Sequence, residues 1–197
     1  MTQPVRPSSS KVPPEFEEFC SMNRSQCEQY MDYKYSLAAE KFISHRDYDV
    51  MVTDIDEKNL IDMGADKEVE HLSIGSFPKS PFPVQGQVYD RFRRLMVPLV
   101  CRQSRNEKAD PINCWFLIDT VSPYTYLTEK SIEAIAGKGI PHDYLRLSIQ
   151  DEARTIECYR SRGNFVNVNI LGMNALEMLQ VSIDIDWKKN EFKLTRN

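Results

Sequence analysis

Trp115-Phe116-Leu117-Ile118-Asp119-Thr120-Val121-Ser122 is an apolar run that ends on a carboxylate and passes into a small hydroxylated stretch. With Ile112 to Cys114 before it, the apolar part reads as a strand buried on both faces. A carboxylate at the tip of such a strand is costly unless it has a partner or a shifted pKa, so Asp119 marks a candidate site. The plain alternative is a turn cap, in which the carboxylate accepts backbone N–H groups.

Working outward, strand patterns recur at short spacing on both sides. Leu95 to Cys101 is a strand with Pro98 inside it, which implies an edge or a bulge, since proline cannot donate to a ladder. Thr128 is placed to cap a short helix carrying Ile132 and Ile135, ended by Gly137 and Gly139. Leu145–Ile149 and Thr155–Tyr159 alternate and are joined as a hairpin by 150–154. Phe165–Ile170 alternates, and Asn174–Leu179 is a short helix. Val181–Asp186 and Glu191–Leu194 close the chain as a second hairpin, with Asp184 and Asp186 facing solvent. Many short strands at close spacing imply a small barrel or sandwich.

The N-terminal side has a different character. Residues 1–14, with Pro4, Pro7, Pro13 and Pro14, form a disordered tail. Residues 15–75 form a helical extension. Its clearest helix spans 25–44, opened by a Ser25/Glu28 capping box and striped with Cys27, Tyr30, Met31, Ala38, Phe42 and Ile43. A short strand at 48–53 and a helix from Ile55 to Met63 follow. Asp54, Asp56 and Glu57 sit in that helix's first turn and Gly64 at its C-terminal cap. The Asp54/Asp56 pair lacks the other ligands and the glycine of a calcium loop. Residues 76–87, broken by Pro78, Pro81, Pro83 and Gly86, are a linker, and residues 88–197 are the main domain.

Bulk properties narrow the function. The chain has 197 residues, 41% apolar and 27% charged, with a net charge of −4. That balance suits a globular protein and argues against nucleic-acid or anionic-membrane partners. No signal peptide and no apolar stretch of membrane-spanning length is present, so a cytoplasmic or nuclear location is expected. Five cysteines and three histidines match no metal pattern, and the odd cysteine count points to reduced thiols. No metal or organic cofactor is expected. Ser122, Ser148 and His142 make no readable triad, and no phosphate-binding glycine loop occurs.

Several segments together resemble the retropepsin-like aspartic protease half-barrel, over roughly residues 92–196. Leu95–Cys101 resembles its first long strand, and Phe116-Leu117-Ile118-Asp119-Thr120 the strand entering the active-site loop. Tyr126-Leu127 resembles the strand leaving it. Asn169-Ile170-Leu171-Gly172-Met173-Asn174-Ala175-Leu176 resembles the apolar-apolar-Gly segment and the helix that support the loop, and Val181–Leu194 the closing hairpin. The resemblance implies a mainly β protein: a small closed barrel with a helical N-terminal extension. It makes Asp119 the catalytic carboxylate and Leu171 and Gly172 the loop support. Thr120 would brace two loops across a dimer, and Ser122 would flank substrate. Peptide hydrolysis by carboxylates needs two of them sharing a proton. A half-barrel has one, so a homodimer acting on an extended peptide or protein substrate is implied.

Two departures bear on activity. Val121 stands where the family has glycine, and a β-branched residue is bulkier and stiffer there. The hairpin matching the family's glycine-rich flap, Leu145 to Tyr159, contains no glycine and has a charged tip at Asp151, Glu152 and Arg154. The sequence therefore supports an aspartic endopeptidase impaired by Val121, with the alternative of a degenerate protease fold kept for binding or dimerisation.

Overall fold

The structure, a computed structural model, describes Ser44, Arg46 and residues 49–138 and 144–196. The chain divides into two compact units, Met1–Asp47 and Tyr48–Asn197. The expected tail over 1–14, and the helix over 25–44 apart from Ser44, lie outside the described residues.

Within the second unit the elements run α1 (Glu57–Asp66), β1 (Val84–Tyr89), β2 (Arg94–Gln103), β3 (Ile112–Ile118), β4 (Thr125–Leu127), α2 (Glu129–Ala136), β5 (Tyr144–Ile149), β6 (Ile156–Arg160), β7 (Asn169–Leu171), α3 (Met173–Leu179), β8 (Val181–Asp186) and β9 (Glu191–Arg196). Strands β3, β7, β4, β6, β5 and β2 pair in that order, and β2 pairs back to β3. This closes a six-stranded barrel, from which β1, β9 and β8 continue as a flange. The fold is the mainly β, small closed barrel expected.

β3 shows why a fully apolar strand suits this position. Cys114, Phe116 and Ile118 point into a core supplied by all six barrel strands, including Val97, Leu99, Leu127, Leu147, Cys158 and Leu171. Trp115 and Leu117 point the other way, into a second core with Met96, Tyr126 and Ile170. That second core is covered by Val50, Val52, Ile55, Leu60 and Met63. The helical segment ahead of the barrel is thus, from Val50 onward, packed into the same compact unit.

Pro98 is accommodated by topology. It faces Trp115 of β3 on one side. On its other side β2 has left β1, whose pairing stops at Met96, and has not reached β5, whose pairing starts at Cys101. The strand is therefore an edge over those few residues, and the missing donor costs no ladder bond.

Some expectations need correction. Residues 49–53 form no strand; Val52 N–H turns back to Val50 O at 2.9 Å. The helix expected from Ile55 to Met63 runs instead over Glu57–Asp66, because Asp56 is its N-cap in a capping box with Asn59. Gly64 is inside it, with Lys67 as C-cap; a Cβ on Gly64 would lie 2.9 Å from Val69 O. Over 165–170 the strand is confined to Asn169–Leu171, preceded by a 3-10 turn at Gly163–Phe165. Thr128 does cap α2 by accepting from Ser131 N–H, and Gly137 ends it.

Candidate active site

Asp119 follows β3 directly. Its N–H donates to Leu171 O at 3.1 Å, which extends the parallel β3–β7 pairing by one step. The half-buried side chain turns toward its own loop, and Oδ1 accepts Val121 N–H at 3.0 Å. This bond caps a turn. Val121 keeps the donor without strain, since it is not among the residues with positive φ. Its side chain is 80% exposed and leaves the barrel floor untouched.

The loop is held from behind. Ser122 O accepts Met173 N–H at 2.8 Å, and Pro123 O accepts Asn174 N–H at 3.2 Å. The free amide groups of the first turn of α3 thus grip the carbonyls of the loop. Gly172 makes the approach possible: a Cβ there would sit 2.0 Å from Tyr124 O. Leu171 and Gly172 both lie behind this loop. Thr125 Oγ1 accepts Gly172 N–H and donates to Asn174 Oδ1 at 2.6 Å, while Asn174 Nδ2 donates to Glu157 O. Asn169 is fully buried; its Nδ2 donates to Trp115 O and its Oδ1 accepts Thr128 N–H.

The Ser122 side chain is fully buried, and its hydroxyl donates to Tyr124 O at 2.7 Å, which stiffens the loop. Thr120 is exposed, and among the described residues its hydroxyl has no hydrogen-bond partner.

Sequence reading assigned no role to Asn169, Asn174 or Thr125, which tie the loop to β3, β6 and α2. The only signal was polar residues inside apolar segments.

A groove of about 410 Å³ opens beside Asp119. Its walls are Asp49–Val52, Phe92–Leu95 and Leu117–Val121. Arg94 stands in it and binds Asp54 through two bonds, Nε to Oδ2 at 3.0 Å and Nη2 to Oδ1 at 2.6 Å. This bonding holds the Asp54 carboxyl below the usual range and raises Arg94, with Asp119 adding to the field on Arg94. Asp54, expected in the first turn of a helix, is instead an ion-pair partner that stays ionised. It is unsuited to share a proton with Asp119.

The hairpin β5–β6 has a tied-down tip. Asp151 is buried and pairs with Arg196, and Glu152 pairs with Arg102. Gln150 Nε2 donates to Pro81 O at 2.9 Å, and Ser148 Oγ donates to Glu152 O at 3.1 Å. A hairpin bound this way is a fixed part of the barrel wall.

Among the described residues no cluster of His, Cys, Asp or Glu is arranged to hold a metal ion. Cys101, Cys114 and Cys158 are free and buried in the barrel core, and burial pushes the Cys101 and Cys158 thiols up. No helix among the described residues is long and apolar enough to cross a membrane.

No family model matches the chain, and no curated protein matches it. Among solved structures, a retropepsin-like aspartic protease from Rickettsia conorii is similar over 58% of this chain and 90% of its own, at 17% identity and a TM-score of 0.41.

Proposed function

We propose that the protein is an aspartic endopeptidase that acts as a homodimer on extended peptides, with one Asp119 from each chain. The observation that carries this reading is the mounting of Asp119. A half-exposed carboxylate sits at the end of a strand buried on both faces, in a loop clamped by Leu171, Gly172 and α3, and opens on a groove. Turn capping alone does not require so rigid a support.

One carboxylate cannot serve as base and acid at once. Two of them a few ångströms apart cannot both ionise, so the pair keeps one proton; one member activates water while the other polarises the carbonyl. Asp54 is committed to Arg94, so the second carboxylate comes from a two-fold mate. In this reading Thr120, exposed beside Asp119, braces the loop against that mate. In this reading Val121 lies at the junction of the two loops.

A second reading, a binding or dimerisation module without catalysis, draws on the hairpin tip fixed by Arg196 and Arg102. A fixed tip provides no cover to close over a bound peptide.

The test is cleavage of a peptide library by purified protein between pH 4 and 7, alongside Asp119→Asn. The enzyme reading expects cleavage that Asp119→Asn lowers by at least about a thousandfold with the fold intact. Unchanged cleavage in the variant, or none in the native protein, rejects it.

A further inference from the structure

The groove beside Asp119 carries a charge pattern that hydrolysis alone does not require. Phe92 and Arg93 line its outer wall; they belong to the β1–β2 turn, Asp90-Arg91-Phe92-Arg93, closed by Arg93 N–H donating to Asp90 O at 3.1 Å. Asp90 and Arg93 both have φ near 55°, so the turn is sharply shaped by residues that seldom adopt that backbone. It is also fixed sideways, because Arg93 Nη1 donates to Asn190 Oδ1 at 2.9 Å. Asn190 is neutral and leaves the charge of Arg93 in place. The Arg91 guanidinium lies 4.7 Å from the centroid of the half-exposed Phe92 ring. Arg94 is neutralised by Asp54, but among the described residues neither Arg91 nor Arg93 forms an ion pair. Asp49 and Asp119 line the groove with Asp54 and Asp90 in the adjoining segments, and among the described residues Asp54 is the one of these four that pairs with an arginine. A chain of net charge −4 thus presents Arg93 and an exposed aromatic ring on the wall of its candidate cleft and Arg91 in the same turn, neither arginine in an ion pair among the described residues.

We propose that Arg91 and Arg93 select an anionic side chain, carboxylate or phosphate, on an extended peptide lying beside Asp119, with Phe92 packed on a neighbouring apolar side chain. The proposal rests on the peptide-groove reading above and names the substrate class. Guanidinium groups match planar carboxylate and phosphate oxygens in charge and in hydrogen-bond geometry. The fixed turn reduces the ordering needed on binding. Phe92 gives the subsite an apolar side, so anionic and apolar side chains are read together.

Full-length Asp119→Asn protein separates binding from cleavage. Fluorescein-labelled decapeptides that differ only by Glu, phosphoserine, Gln or Lys at one scanned position are titrated by anisotropy. The expected result is binding of the Glu and phosphoserine peptides about tenfold tighter than Gln at low ionic strength, shrinking at 0.5 M salt. The ratio of phosphoserine to Glu tells which anion is preferred. Arg93→Glu and Arg91→Glu in that background remove or invert the preference. Lys79→Glu, the same charge change on an exposed residue outside the groove, leaves it intact. Equal effects of Lys79→Glu and Arg93→Glu, or no peptide binding at any charge, overturn the proposal. Cleavage by native protein without charge preference overturns it while the peptidase reading stands. Selective binding without cleavage supports it and leaves the peptidase reading to fall alone.

Discussion

Gly172 illustrates how one position can decide whether the site exists. Its missing side chain lets Tyr124 O, Ser122 O and the start of α3 crowd together behind Asp119. Any Cβ would meet backbone, which cannot swing aside as a flexible side chain can. Gly172→Ala is therefore expected to destabilise by about 2–4 kcal/mol, measured by urea denaturation, and to displace the Asp119 loop. His71 makes a different kind of prediction. Its Nδ1 accepts Trp115 N–H at 3.1 Å, and burial depresses its pKa from 6.5 to about 4, against a smaller opposing pull from Glu57. The unfolded chain takes up this proton near pH 6.5 and the folded one only near pH 4. Stability is then complete above pH 6.5 and is lost as pH falls toward 4, by up to about 3 kcal/mol. Asp54 and Asp151 are also depressed, so their contribution is present above about pH 3.8 and fades only below it. Denaturation between pH 7 and pH 4.5 isolates His71, and His71→Asn should flatten the slope. An acid assay of peptidase activity crosses this window.

The segment 50–63 is the element whose part in the fold the sequence least betrayed. Val50, Val52 and Ile55 come from chain without regular structure, and Leu60 and Met63 from α1, yet all five seal the face of β3 opposite the barrel interior. Leu60 is almost fully buried. Leu60→Ala should cost about 2–5 kcal/mol through lost burial and a cavity beneath Trp115 and Leu117. Hydrogen exchange should show faster opening of β3, the strand that carries Asp119, as well as of α1. If only α1 opens, the segment is an appendage and not part of the core.

For the assembled molecule, the loop, α3 and β8 share one face. A depression of about 660 Å³ lies between Thr120, Met173, Leu176, Gln180 and Ile183. Met173 is exposed on it, Val121 is exposed in the adjoining loop, and among the described residues β8 is the last strand of the sheet. An end strand beside exposed apolar side chains is a surface that a second copy can cover. Light scattering is expected to give twice the 22.9 kDa chain mass, and Met173→Asp to halve it without unfolding. A monomer at micromolar concentration would remove the shared-dyad mechanism. How much of this was legible follows from the reach of the forces involved. Periodicity and turn chemistry act over a few residues. They therefore marked β3 as buried on both faces, the hairpins β5–β6 and β8–β9, the Thr128 cap and Asp119 as an exceptional carboxylate. Pairings between residues far apart in the chain have no local trace. Only the folded chain brought Asp54 to Arg94, Asn169 to Trp115 and Thr128, and Gly172 against Tyr124, and only it turned Ser122 inward. Those contacts follow from how the barrel closes, and closure is a property of all six strands together.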